Sequence, residues 1–117
     1  MARAIFQTVS SVKRKGEIVE AMKVLRDRTK SCLGCLDSSI EQDIEDLRKI
    51  RLTVIFDTSE HLWRFIQSEI LISIFQLVEL SIERPDIFFC WEDGNESIDS
   101  IMAMKTTKRH PLNSPSA

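Results

Sequence analysis

The sequence predicts an α+β domain of ferredoxin-like type. It has the order βαββαβ, with a four-stranded antiparallel sheet and helices on one face. Three observations predict it. Apolar and polar residues alternate with period two through Ile50–Phe56. Apolar residues recur with helical spacing through Glu17–Thr29. A long apolar helical stretch after Asp57 is interrupted once, at Gln67-Ser68-Glu69, and a further strand follows Pro85.

Taken in order, Ala4–Val12 reads as a strand carrying Ile5, Phe6, Val9 and Val12, with Gly16 breaking the pattern. In the helix over Glu17–Thr29, Ile18, Met22 and Leu25 fall on one face with Ala21 beside them. Acids lie in its first turn and Arg26, Arg28 and Lys30 at its end, as the helix dipole favours. Gly34 marks a turn, and Cys35–Glu41 reads as a short strand with Leu36, Ser38 and Ile40 on one face. Gln42–Lys49 is a polar hairpin loop. Ile50–Phe56 follows, with Arg51, Thr53 and Ile55 facing away from its other side chains. Asp57 and Glu60 have the spacing of a capping box, so a short helix is expected over Ser59–Gln67, burying Leu62, Phe65 and Ile66. A second piece, Ile70–Leu80, is apolar on nearly every side, which predicts burial on more than one side. Ile87–Glu92 is an apolar strand, and Asp93-Gly94-Asn95 reads as a turn. Residues 1–104 are read as one domain, with Ile98–Met104 as a short appended element and polar 105–117 as a disordered tail.

Two helices cover only one face of such a sheet. The other face would carry Thr53, Ile55, Phe88 and Cys90, which is too apolar for water. Two copies packed sheet to sheet would bury it, so a homodimer closed as an α+β barrel is expected.

Net charge is −2, with 16 Lys and Arg against 18 Asp and Glu. The best candidate for a basic surface, Lys13-Arg14-Lys15, precedes a Gly and reads as a solvated turn, so no nucleic-acid partner is expected. No stretch is apolar enough for a bilayer, and the N-terminus lacks a secretory h-region; a cytoplasmic protein is expected, without membrane partners. Cys32-Leu33-Gly34-Cys35 is formally a C-x-x-C motif. It follows a helix instead of opening one, where the dipole would lower a thiol pKa, and it lacks the second ligand pair of a zinc site. No metal or redox role is expected of it. Phosphate-cradling, dinucleotide, nucleophile-elbow and zinc-protease motifs are absent from the sequence.

In four features the chain resembles the antibiotic biosynthesis monooxygenase superfamily, the dimeric α+β barrels. A first strand ends in Val12-Lys13-Arg14-Lys15-Gly16 before an amphipathic helix, and Gly34-Cys35-Leu36 opens a second strand followed by an acidic hairpin around Glu41-Gln42-Asp43. A third strand ends in Phe56-Asp57-Thr58 and opens a helix, and that helix breaks at Gln67-Ser68-Glu69 and resumes. The resemblance spans about residues 3 to 92. It implies a small homodimer with a pocket between the helices and the sheet, and oxidation of quinol-type or polyketide substrates with O₂ and no metal or flavin. Several positions depart from the family. The usual Trp at the end of the third strand is Phe56, family His positions fall at Phe65 and Ile70, and the haem-ligating His of one branch falls at Phe75. The essential Asn of that branch falls near Val9, between Thr8 and Ser10. With no imidazole at position 75, haem has no ligand in that geometry.

Oxygenation without a cofactor needs a substrate that becomes an electron-rich anion, a group that deprotonates or orients it, and a shield from water. The candidate polar groups are Gln7, Thr8, His61 and Arg64; Phe56, Trp63, Phe65, Phe75 and Trp91 would wall a pocket for a small aromatic ligand. Each has a plainer role. Gln7 and Thr8 would line the dimer barrel, Arg64 would pair with Glu60 one turn back, His61 would be an exposed helix residue, Trp63 a half-exposed helix residue or a dimer contact, and Phe75 and Trp91 core. Two functions follow: a cofactor-independent monooxygenase for an aromatic or quinol-type molecule, or a non-catalytic ligand-binding or dimerisation module of the same fold.

Overall fold

The computed structural model describes residues 1–92 and, for the backbone, 94–97. The appended element and tail read over 98–117 lie outside the described residues. The elements are β1 (Ala2–Val9), α1 (Lys15–Lys30), β2 (Cys35–Gln42), β3 (Lys49–Phe56), α2 (Ser59–Ile66), α3 (Glu69–Val78), β4 (Asp86–Trp91) and β5 (Gly94–Ser97). The sheet order is β2-β3-β1-β4-β5, antiparallel throughout. The βαββαβ core is the one the sequence predicts. The edge strand β5 is additional: Gly94 pairs with Trp91 and Asn95 with Cys90, so these two residues lie in a strand where a turn was expected.

Boundaries shift where tertiary partners decide them. β1 begins at Ala2, opposite Phe56, and its ladder ends at Val9, opposite Lys49, after which one further bond runs from the Ser10 amide to the Arg48 carbonyl at 2.8 Å. Val12 therefore lies outside the strand and is exposed. Gly16 sits inside the first turn of α1 instead of breaking the chain before it. A β-bulge between Cys35 and Asp37 removes Leu36 from the ladder and turns it to solvent, while Ser38 and Ile40 keep the expected face.

Alternation puts Ala4, Phe6, Leu52, Val54, Phe56, Ile87 and Phe89 under the helices. From α1 come Ile18, Met22 and Leu25; from the α2–α3 lid come Leu62, Phe65, Ile66, Leu71, Ile74, Leu77 and Val78. The outer side of α3 is less covered than expected: Ile72 is exposed, and Phe75 is only half-buried. A string of six rings runs through the interior. Trp63, Trp91, Phe89, Phe6, Phe65 and Phe56 follow one another at centroid separations of 5.2 to 6.4 Å, within the range of favourable aromatic pairs.

The lid is fixed at both ends. At its start, the Ser59 amide donates to the Glu92 carboxylate at 3.0 Å, and the Glu92 amide donates to Ser59 Oγ at 2.9 Å. After its end, the Val9 amide donates to Ser81 Oγ at 2.8 Å and the Ile82 amide to the Val9 carbonyl at 2.8 Å.

Among the described residues, buried polar side chains are paired with one exception. The Thr29 hydroxyl lies 2.7 Å from Ser38 Oγ and 2.8 Å from the Arg26 carbonyl, tying α1 to β2. Thr8 Oγ1, fully buried, has no hydrogen-bond partner among the described residues. An unsatisfied buried hydroxyl costs free energy that an apolar group of similar shape does not. Thr8→Val is therefore expected to raise unfolding free energy by about 1 kcal/mol, measured by urea denaturation. A loss of that size would assign the hydroxyl a structural role that its surroundings do not explain.

Candidate functional site

The site begins at the turn that opens β2. Gly34 has φ +80°, a conformation that favours glycine, and its carbonyl accepts the Asp57 amide at 3.0 Å. This bond holds the end of β3 against the turn. The expected capping box is replaced by another arrangement. Thr58 is the N-cap of α2, and its Oγ1 accepts the His61 amide at 3.2 Å. Asp57, freed from capping, places Oδ1 2.6 Å from His61 Nδ1. A Cβ on Gly34 would run into both the His61 ring and the Asp57 carboxylate, so the turn and the pair fit only because residue 34 is glycine.

The hydrogen bond from His61 holds the Asp57 carboxyl below its ordinary value of 3.8. A depressed carboxyl contributes stability above its unfolded-state value and loses it as pH falls through the folded value. The stability gap between wild type and Asp57→Asn is therefore expected to be open at neutral pH and to shrink below about pH 4. Thermal melts across that range check it, and a gap independent of pH would contradict the pairing.

His61, Arg64, Phe65 and Ser68 line a groove with Cys32 and Leu33, of about 170 Å³. His61 keeps 24% of its side-chain surface exposed, and its Nε2 has no protein partner among the described residues. Arg64 pairs with Glu60 at 3.4 Å, as its spacing predicts, but both are largely exposed, so water screens the pair. Ser68 Oγ is committed to the Phe65 carbonyl at 2.6 Å. Burial pushes the Cys32 and Cys35 thiols up, against a thiolate redox role for the C-x-x-C turn. Among the described residues no three His, Cys, Asp or Glu side chains form a metal-binding group.

The other predicted site residues lie elsewhere. Gln7 and Thr8 are neighbours on β1 and face opposite ways, so they do not line the same space: Thr8 is buried under the helices, while Gln7 is on the open sheet face. There Glu41, Arg51, Gln7 and Asp86 form a polar ladder across four strands. Its contacts are 3.6 Å for Arg51–Glu41, 2.9 Å for Arg51 to Gln7 and 3.3 Å for Gln7 to Asp86. Beside it lie Ile5, Thr53 and Phe88 in one row and Ile55, Arg3 and Cys90 in the next. Phe56 and Phe65 are core, 5.2 Å apart and at most 2% exposed, and they fill the space between helices and sheet that they were expected to wall. Trp63 and Trp91 pair at the rim at 6.2 Å, and Phe75 is half-buried on α3. Asp57 is the residue that the sequence reading missed. Its i,i+4 spacing to His61 was the available signal.

No family model matches the chain, and no curated protein matches it. Solved structures do. A conserved protein from Methanosarcina mazei Go1 superposes with TM-score 0.67 at 20% identity, covering 77% of this chain and 90% of that one. A protein from Nitrosomonas europaea, provisionally named an antibiotic biosynthesis monooxygenase, gives 0.65 at 13% identity, covering 76% and 95%. Another so named, from Deinococcus radiodurans, gives 0.65 at 15% identity, covering 74% and 87%. The chain shares their ferredoxin-like α+β fold.

Proposed function

We propose that this chain is a homodimeric member of the antibiotic biosynthesis monooxygenase superfamily and oxygenates an aromatic or quinol-type molecule without metal or flavin, with His61 as the base. The observation that carries this reading is the Asp57–His61 pair at the mouth of a groove that also holds Arg64 and the edge of Phe65. Asp57 takes the Nδ1–H and leaves Nε2 to accept a phenolic proton. Arg64, one turn along α2, adds a cation beside it for an anionic group of the substrate. For a quinol the balance is quinol + O₂ → hydroxyquinone + H₂O. A ring C–H becomes C–OH at the cost of one O–O bond, and the substrate supplies all four electrons. Oxygen uptake with a panel of quinols and anthrones tests the reading; uptake is expected with wild type and a fall of at least about 100-fold with His61→Ala. A second reading, a non-catalytic binding or dimerisation module, is favoured by the packed rings of Phe56 and Phe65. It stands if no panel member consumes oxygen.

The homodimer is supported by the open sheet face, where Phe88 is 47% exposed between Ile5 and the β5 edge. Light scattering is expected to give about 27 kDa, twice the 13.5 kDa chain. Phe88→Glu, which would place a charge in that interface, is expected to give the single-chain mass. A wild-type monomer would exclude sheet-to-sheet pairing.

A further inference from the structure

The groove's size and charge narrow what it takes. We infer that the ligand is a single-ring phenol or quinol bearing a carboxylate, of the hydroxybenzoate class, and not a fused polycycle; this rests on the groove being the site proposed above. Three features carry the inference. The open groove holds about 170 Å³, room for one aromatic ring and below the range for drug-sized molecules. The walls divide by chemistry. Leu33 gives exposed apolar surface over a floor closed by the buried Phe65, and Cys32 remains a neutral thiol because burial disfavours its charge. The polar groups stand together on one side: His61 and Arg64 are three residues apart on α2, one turn of a common face.

These two groups differ in what they bind. With Nδ1–H engaged by Asp57, His61 presents a single acceptor nitrogen, suited to a phenolic O–H. Arg64 presents a planar donor fork suited to a carboxylate. Its present partner, Glu60, is held at 3.4 Å in an exposed pair that a ligand carboxylate can replace at small cost. Ser68 is already committed to Phe65, and Asp57 to His61, so neither competes for the ligand. A neutral quinol uses only half of this arrangement, and a tricyclic anthrone offers no carboxylate to Arg64 and more ring surface than a groove of this volume covers.

The experiment is a titration of the full chain followed by the His61 ring resonances in NMR. Its probes are 2,5-dihydroxybenzoate, hydroquinone and anthrone, with oxygen uptake measured in parallel. 2,5-Dihydroxybenzoate is expected to shift His61 and to bind at least about 10-fold more tightly than hydroquinone. Arg64→Gln is expected to bring that ratio to about one, with an unchanged melting temperature. Anthrone is expected to leave His61 unmoved. Equal affinity for the two single-ring probes, retention of the ratio in Arg64→Gln, or binding that bypasses His61 would each overturn the inference. Binding with the expected ratio but without oxygen uptake would sink the oxygenase reading and leave the ligand class standing. Uptake with anthrone alone would do the reverse.

Discussion

Phe56→Ala is expected to lower unfolding free energy by about 3–5 kcal/mol, the range for truncating a core aromatic. Phe56 is the last residue of β3 and is fully buried. It pairs with Ala2 on one side and Cys35 on the other, so it sits where three strands meet. Its ring packs on Phe65 at 5.2 Å, tilted by 36°. Truncation would therefore remove the terminal link of the aromatic string and open a cavity beneath α2. Rigid neighbours cannot collapse into such a gap, which is why the cost exceeds simple transfer of the ring to water. Equilibrium denaturation measures it, and a loss under about 1 kcal/mol would mean that the facing of β3 is wrong.

Gly34→Ala carries the second large effect, on the site more than on the fold. An L side chain at φ +80° costs about 1–2 kcal/mol in backbone strain. The added methyl would also occupy the space of the His61 ring and the Asp57 carboxylate. The pair is expected to separate, so the Nδ1–H resonance of His61 should lose its low-field position and the groove its oriented base. A variant that keeps that resonance and wild-type stability would show that the turn and the pair are independent.

How far the sequence could be read depends on the range of the interactions. In β3, Leu52, Val54 and Phe56 face in while Arg51, Thr53 and Ile55 face out, because a period of two leaves only two choices and one face must be buried. Ile18, Met22 and Leu25 were legible for the corresponding reason in a helix. The end of β1 was not, because the ladder closes where Val9 meets Lys49, forty positions away in β3. Nor was β5, since Gly94–Ser97 has no apolar alternation and exists as a strand by pairing with β4. The bulge at Leu36 likewise depends on a register set between strands. In the site, His61, Arg64 and Phe65 were among the residues singled out, but Asp57 was assigned to the cap that Thr58 provides. Two local bonds competed for one carboxylate, and a backbone pattern gives no basis for choosing between them. The wall supplied by Cys32 and Leu33 comes from a turn remote in sequence, brought beside α2 by the Asp57–Gly34 bond.

The lid's attachments govern how the interior can be entered. Ser59 and Glu92, 33 residues apart, clasp its beginning, and Ser81 and Ile82 clasp the stretch after its end to Val9. Between these clasps, helical hydrogen bonding is interrupted at Gln67-Ser68. A roof riveted at both eaves does not swing open from one side without shearing rivets.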